Sequence, residues 1–202
     1  METWEQIALR LAGQAGIATP QHELIEVAGK PVMLSRRFDR DGASRIPFLS
    51  AMAMMGAKDG ERGSYPEIVD ALAQHGAQGK TDAHALYRRV VFNVLVSNVD
   101  DHLRNHGFLW LGKAGWSLSP AYDLNPVPTD LKARVLTTNI DLDEGTCSLD
   151  LLERVDIFRA HPAAGPRDYQ RGRDRDSDLA RYSQGGRRSI GGNQPNGQRF
   201  RA

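Results

Sequence analysis

The residues that could do chemistry are concentrated in one segment, Asn98 to Asn105, and in one aspartate, Asp123, eighteen residues further on. The segment contains two carboxylates, two amides and an imidazole, and it directly follows an apolar stretch. Phosphoryl transfer uses such a set, because one carboxylate orients the attacking hydroxyl while an amide oxygen and another carboxylate hold Mg²⁺. We therefore expect Asp100 to orient and deprotonate a hydroxyl, and Asn105 and Asp123 to bind the metal.

His102 leaves a second kind of chemistry open. With Asp100, Asp101 and Asp123 it could bind zinc and serve a metal-dependent hydrolase, because His and Asp are both zinc ligands. However, the histidine four residues later, His106, falls at the start of a predicted strand and not on a helix that would place both rings on one face. The sequence therefore favours a structural His102 that forms hydrogen bonds within the loop. Each aspartate alone could also be a turn residue.

Hydrophobic spacing predicts the elements that position these residues. The predicted helices span residues 5–15, 47–55, 65–75 and 81–97, and the predicted hairpins span residues 24–34 and 107–118. In the helix before the polar loop, Thr81 or Asp82 is the expected N-cap. Its core-facing stripe consists of Leu86, Val90, Val91, Val94 and Leu95. We expect the loop to hang from this helix, and the second hairpin to return Asp123 beside it.

The composition is that of an ordinary globular protein, with 40% hydrophobic and 25% charged residues among 202. A net charge of +1 gives no reason to expect nucleic-acid or membrane binding. A single cysteine, Cys147, excludes a disulfide framework and favours a reducing cytoplasm. No apolar run approaches the length of a membrane span, and the N-terminus lacks the pattern of a signal peptide.

The last fifty residues differ from the rest. Residues 153–202 contain eleven Arg and six acidic residues, whereas all five lysines lie earlier in the chain. From residue 165 the composition is too polar to bury a core, so we predict disorder there. An Arg-rich nucleic-acid arm is the less favoured interpretation, because Asp residues are interspersed. Out-of-frame reading of a GC-rich gene would also produce such a composition.

Four stretches of the chain carry a family resemblance. They are the early helix WEQIALRLAGQAGI, the hairpin end SRRFDR, the loop NVDDHLRN and the later segment WSLSPAYD. The chain resembles the HipA-like serine/threonine kinases, which are toxins of bacterial toxin–antitoxin pairs. The resemblance implies an α+β, divergent protein-kinase-like fold with a mostly helical C-lobe, small β-hairpins and an N-lobe that is largely missing. The spacing of Asp100 and Asn105 is also that of a kinase catalytic loop.

The resemblance also implies roles for individual residues. Asp100 would be the catalytic aspartate, and Asn105 and Asp123 the magnesium-binding pair. The cofactor-binding set for ATP would comprise the hinge residues, whose backbone faces the adenine, and the loop histidine: Arg36, Arg37, Phe38 and His102.

The implied function is transfer of a phosphoryl group from ATP and Mg²⁺ to serine or threonine of a protein. In the best-known type the substrate is an aminoacyl-tRNA synthetase, and a DNA-binding antitoxin holds the kinase in check. We expect no membrane partner and no direct nucleic-acid binding. The alternative is a non-catalytic remnant that still binds an antitoxin or another protein.

Departures from the family pattern lead us to expect an impaired fragment. Residues 1–40 would be a remnant of the N-lobe and hinge, 41–158 the kinase-like C-lobe, and 159–202 a disordered or frameshifted tail. The family's phosphate-contacting loop and ATP-binding lysine would precede this chain, and Lys30, in a predicted turn, is a poor substitute. By the resemblance Glu5 would be the helix glutamate that faces that lysine, whereas its position alone indicates an exposed acid of the first helical turn. Arg36 stands where an acidic hinge residue is expected, and the resemblance ends near Phe158.

Overall fold

A computed structural model describes residues 2–128 and 133–155. The helices among these residues are α1 (Glu2–Gln14), α2 (Ala51–Met54), α3 (Tyr65–His75), α4 (Gly79–Val96) and α5 (Leu149–Arg154). The strands are β1 (His22–Val27), β2 (Lys30–Ser35), β3 (Arg40–Asp41), β4 (Ser44–Arg45), β5 (Phe48–Ser50), β6 (Gly107–Trp110) and β7 (Trp116–Leu118). Short 3₁₀ turns form at Leu103–Asn105 and Gly112–Ala114.

All described strand pairs are antiparallel. Strands β1 and β2 form a hairpin, β3 and β4 form a much shorter one, and β5, β6 and β7 form a sheet in that order. The structure is therefore a mixed α and β arrangement, as predicted, and both predicted hairpins are confirmed. The helices predicted at 5–15 and 65–75 are confirmed as α1 and α3.

Helix α4 belongs to two hydrophobic cores. Leu86 and Val90 pack in the larger core, with residues of α3, β6 and α5. Phe92 and Val96, nearer the end of the helix, pack in a second core with α1 and with the segment after β7. A helix buried on two faces is a rigid support, so the polar loop that follows it begins from a fixed point.

The start of α4 differs from the prediction. The helix begins at Gly79, and Gln78 occupies the N-cap position, so neither Thr81 nor Asp82 is the cap. Asp82 is buried within the first turn, where its carboxylate accepts hydrogen bonds from the Ser117 hydroxyl and the Leu118 N–H, each at 3.1 Å. The Asp82 carboxylate therefore binds residues of β7 and does not cap the start of its own helix.

The helix predicted at 47–55 is only partly correct. Phe48–Ser50 is a strand that pairs with β6, and only Ala51–Met54 is helical. Ser50 caps this short helix by accepting a hydrogen bond from the Ala53 N–H at 3.2 Å. The pairing partner of the strand lies almost sixty residues away in sequence, so local spacing does not reveal it.

No helix among the described residues is long and apolar enough to cross a membrane. The predicted tail at 159–202, and the expected end of the resemblance near residue 158, lie outside the described residues.

Candidate active site

A buried carboxylate organises the loop of residues 98–106, which we call the Asp100 loop. One oxygen of Asp101 (Oδ2) accepts hydrogen bonds from the Tyr65 hydroxyl, from the Asn93 amide at 2.8 Å and from His106 Nε2 at 2.9 Å. The residue is only 2% exposed. Burial alone would raise the pKa of Asp101, but His106 and the Tyr65 hydroxyl outweigh it and hold the pKa below its usual range.

The neighbouring aspartate has the opposite environment. Asp100 is exposed, whereas Asp101 points its carboxylate into the protein. The loop between Asp100 and Asn105 is closed by two hydrogen bonds: Asn105 N–H donates to His102 O at 2.8 Å, and the Asn105 side-chain amide donates to Asp100 O at 3.4 Å. Anchoring Asp101 thus presents Asp100 to solvent, while the buried Asn105 amide bonds to the Asp100 carbonyl.

The segment after β7 lies against this loop. The Tyr122 hydroxyl donates a hydrogen bond to the Arg104 carbonyl at 2.6 Å. Asp123, next in the chain, has a φ of 57°, an unusual value for a residue other than glycine. One of its carboxylate oxygens accepts a hydrogen bond from the Asn125 side-chain amide at 2.6 Å. The hairpin therefore brings Asp123 back to the Asp100 loop, as the sequence predicts.

Glu5 of α1 lies close to Asp123. Burial raises the pKa of Glu5, and the nearby Asp123 carboxylate raises it further, while the Asp123 backbone N–H lowers it. Two carboxylates side by side create a local negative field that a cation would relieve. Glu5, expected to face a lysine, thus faces the predicted metal residue.

The hinge segment, residues 35–40, borders a cavity of about 290 Å³. Its lining is made of the hinge segment and two aromatic residues from elsewhere: Ser35, Arg36, Arg37, Phe38, Asp39, Phe48 and Tyr122. The rings of Phe38, Phe48 and Tyr122 lie together, with centroids 5.7 to 6.4 Å apart. Such an aromatic cluster beside a cavity suits a flat heterocycle.

The three predicted hinge residues differ in their contacts. Arg36 extends the β1–β2 hairpin, because its N–H donates to the Gln21 carbonyl at 2.8 Å and its guanidinium donates to the Gln21 side chain at 3.3 Å. Arg37 forms a two-pronged ion pair with Asp39, at 2.8 and 2.6 Å. Of these three hinge residues, only Phe38 contributes an aromatic ring to the cavity. All three residues thus lie at the cavity. The backbone N–H of Arg36 is not available to a ligand there, because it already donates to the Gln21 carbonyl.

The described residues include no side-chain hydrogen bond of His102, the contact that the sequence favours. Its ring Nδ1 is buried without a hydrogen-bond partner among the described residues, and the loop contact is made by its backbone carbonyl. The zinc alternative receives no support, because residues 2–128 and 133–155 contain no group of three or more His, Cys, Asp or Glu side chains arranged for a metal ion. Asp101, one of its proposed ligands, is committed to Tyr65, Asn93 and His106.

Arg89 is a buried cation beneath the site that the sequence did not reveal. It is 5% exposed, and its Nη2 donates to the Ser119 carbonyl. Burial lowers the pKa of Arg89 to about 10, although Asp101, Tyr122 and Asp82 favour its charged form. Arg89 therefore balances negative charge between the Asp100 loop and the segment after β7.

The model of one protein family, the HipA-like C-terminal domain, matches residues 1–168 of the chain. The chain belongs to the HipA-like C-terminal domain family. The match runs past residue 158, near which we expected the resemblance to end.

Two relatives of this family member carry kinase names. A Haemophilus influenzae protein named "Putative kinase" is 25% identical over 166 residues, which are 72% of this chain and 48% of the relative. A Sinorhizobium fredii protein, "Putative kinase Y4dM", is 30% identical over 132 residues, 57% of this chain and 32% of the relative. The chain thus spans about half or less of the length of these relatives.

Two solved structures share the fold of this HipA-like chain. HipA of Shewanella oneidensis, in a complex with HipB and operator DNA, has a TM-score of 0.74 at 18% identity, over 91% of this chain and 49% of HipA. The Helicobacter pylori proinflammatory kinase CtkA has a TM-score of 0.60 at 15% identity, over 89% of this chain and 82% of CtkA. These likenesses establish that the fold is that of HipA and CtkA.

The sequence did not reveal the contacts of several residues in the site. Tyr122 touches both the cavity and the Asp100 loop, and no local pattern in the sequence indicates either contact. Asn93 lies inside α4, where an amide in an apolar stripe could have signalled a buried polar contact. Asn125 stands two residues after Asp123, a spacing at which a side-chain amide can reach back to the carboxylate.

Proposed function

We propose that this HipA-like domain transfers the γ-phosphoryl group of ATP to a serine or threonine hydroxyl of a protein. Asp100, which is exposed at the edge of the loop, would orient the hydroxyl and accept its proton. Asn105 and Asp123 would supply oxygen ligands to Mg²⁺. Residues up to 40 would then belong to the N-lobe and hinge, and residues 41–158 to the C-lobe.

The position of Tyr122 carries this proposal. Its ring lines the cavity beside Phe38, its hydroxyl bonds to the Asp100 loop, and the next residue is Asp123. A heterocycle in the cavity would lie against Tyr122, whose neighbour in the chain is the proposed metal ligand Asp123. Tyr122 therefore connects the cavity with the Asp100 loop and with the proposed metal residue.

The side chains around Asp123 suit magnesium. Mg²⁺ prefers carboxylate and amide oxygens and keeps several water ligands, so two protein ligands suffice. Asn105 and Asp123 provide these atoms, and the unfavourable proximity of Glu5 and Asp123 would be relieved by a cation. When bound, Mg²⁺ would neutralise phosphate charge.

We also propose a protein partner and a protein substrate for this domain. The HipA of Shewanella oneidensis is seen with HipB and operator DNA, so a DNA-binding antitoxin is the partner we propose here. A protein such as an aminoacyl-tRNA synthetase is the proposed substrate, by the resemblance of the family. Antitoxin binding that survives Asp100→Ala would separate this role from catalysis.

Calorimetry of ATP binding with and without Mg²⁺ tests the central proposal. We expect the wild-type chain to bind ATP more tightly with Mg²⁺, and Asp123→Ala to lose that gain by about tenfold or more. Asp143→Ala is the matched control, because Asp143 is an exposed aspartate outside the site. A wild-type chain that binds no ATP, or an Asp123→Ala variant with the full Mg²⁺ gain, would overturn the proposal.

A further inference from the structure

A chain of side-chain amides runs beneath the two loops of the site. Asn93 of α4 donates from its Nδ2 to Asp101 at 2.8 Å, and its Oδ1 accepts a hydrogen bond from Asn98 Nδ2 at 3.2 Å. The Oδ1 of Asn98 accepts the backbone N–H of Asn125 at 3.1 Å. The Asn125 side chain then donates to Asp123 Oδ1 at 2.6 Å. This series of hydrogen bonds thus connects the Asp100 loop with Asp123 in the segment after β7.

The amides of Asn93 and Asn98 are each only 1% exposed. A buried amide that uses both its donor and its acceptor has one orientation, because turning it would place like atoms opposite each other. Asn93 and Asn98 are both in this situation. Their orientation is therefore fixed by the fold and does not depend on solvent.

Asn125 is held differently. Its backbone N–H is fixed by Asn98, whereas its side-chain Oδ1 is buried without a hydrogen-bond partner among the described residues. Among the described residues, the hydrogen bond to Asp123 is therefore the one that the Asn125 side chain forms. That hydrogen bond is accepted by Oδ1 of Asp123, whereas Oδ2 accepts no side-chain hydrogen bond from the described residues and is open to a ligand.

We propose that Asn98 and Asn125 are positioning residues that fix the Asp123 carboxylate relative to the Asp100 loop. This inference rests on the proposed function, since its purpose is to align the metal ligand with the catalytic loop. Neither residue needs to touch ATP. Groups that orient a metal ligand through hydrogen bonds commonly change metal affinity by about 10- to 100-fold when removed.

The decisive variant is Asn125→Leu. It keeps about the size of the side chain but removes the donor to Asp123 without adding charge. We expect the Mg²⁺-dependent gain in ATP affinity to fall by about tenfold or more, while ATP affinity in EDTA stays at the wild-type value. Asn125→Ser, which retains a donor, should restore part of the gain.

Asn139→Leu is the matched control. Asn139 is buried and donates one side-chain hydrogen bond, to the Leu142 carbonyl at 3.0 Å, and among the described residues its side chain forms no hydrogen bond with the site loops. If Asn139→Leu reduces the Mg²⁺ gain as much as Asn125→Leu does, the effect is general destabilisation and the positioning role is wrong. Wild-type Mg²⁺ dependence in a folded Asn125→Leu variant would also overturn it.

A second measurement keeps the inference testable if the wild-type chain binds no ATP. Thermal unfolding of Asn98→Ala, Asp123→Ala and the double variant shows whether the two residues are coupled. Non-additive changes in Tm would support the amide chain even if the kinase proposal fails. Additive changes would overturn the inference without bearing on ATP binding.

Discussion

The Asp100 loop and the hinge segment each hold an aspartate by several hydrogen bonds, but in opposite ways. In the loop, Asp101 is enclosed by buried partners from three places in the chain. In the hinge, Asp39 is also buried, but its partners reach solvent: Arg37, at 2.6 Å, has a side chain that is 67% exposed, and Arg40, at 2.7 Å, one that is 31% exposed. The pKa of Asp39 is lowered first by the hydrogen bond from Arg37.

This difference shows which part of the site is built for precision. A carboxylate enclosed by buried donors has one arrangement, and leaving any donor unpaired is costly. An ion pair at the surface is screened by water and salt, so it can be rearranged or replaced. The geometry that the proposed phosphoryl transfer requires would therefore rest on the Asp100 loop. The hinge can tolerate an unexpected residue such as Arg36, whose side chain contacts Gln21.

The largest effect should separate the two adjacent aspartates. Asp101→Ala leaves Tyr65, Asn93 and His106 without their acceptor, so we expect it to lower the free energy of unfolding by about 3 kcal/mol or more. Asp100→Ala, at an exposed position, should change it by less than about 0.5 kcal/mol. Urea unfolding of both variants measures this. Equal losses would show that the loop is not anchored by Asp101.

Lowering the pH should also show how much the buried Asp101 carboxylate stabilises the folded protein. Because the pKa of Asp101 is lower in the folded protein, its contribution to stability is present above the unfolded value of about 3.9 and is lost as pH falls through the folded pKa. The stability gap between wild type and Asp101→Asn should therefore narrow below about pH 4. Denaturant unfolding from pH 7 to pH 2 measures it. A gap that stays constant would contradict the depressed pKa.

Tyr122 joins the two regions, so its hydroxyl should have an intermediate effect. Tyr122→Phe keeps the ring in the cavity but removes the hydrogen bond to the Arg104 carbonyl, at a cost of about 1 kcal/mol. ATP binding in EDTA should be unchanged, while the Mg²⁺-dependent part weakens several-fold. Trp110→Phe, which trims a half-exposed aromatic outside the site, serves as control. Loss of binding in EDTA would instead assign the hydroxyl to the heterocycle.

The smallest effect should come from the hinge ion pair. Arg37→Ala removes an exposed partner of Asp39 while Arg40 remains, so stability should decrease slightly at low salt. At an ionic strength of about 0.5 M the difference from wild type should disappear, because salt screens surface pairs. Thermal unfolding at both salt concentrations tests this. A salt-independent loss as large as that of Asp101→Ala would remove the contrast between the regions.

Local patterns predicted much of the fold. The spacing of apolar residues indicated α1, α3, α4 and both longer hairpins, because each pattern repeats within a few residues. The strand at Phe48–Ser50 and the true start of α4 were missed. Both are fixed by distant partners, β6 in one case and Ser117 and Leu118 of β7 in the other.

The sequence by itself determined which residue types were available for the proposed chemistry and their order along the chain. Asp100, Asn105 and Asp123 were selected from spacing alone, and the family was recognised from four short motifs. Only the tertiary structure decided that, of two adjacent aspartates, Asp101 turns inward and Asp100 outward. It also placed Tyr122 at the cavity and linked Asn98 to Asn125. The physical reason is that buried polar groups need partners, and these partners came from segments far apart in sequence.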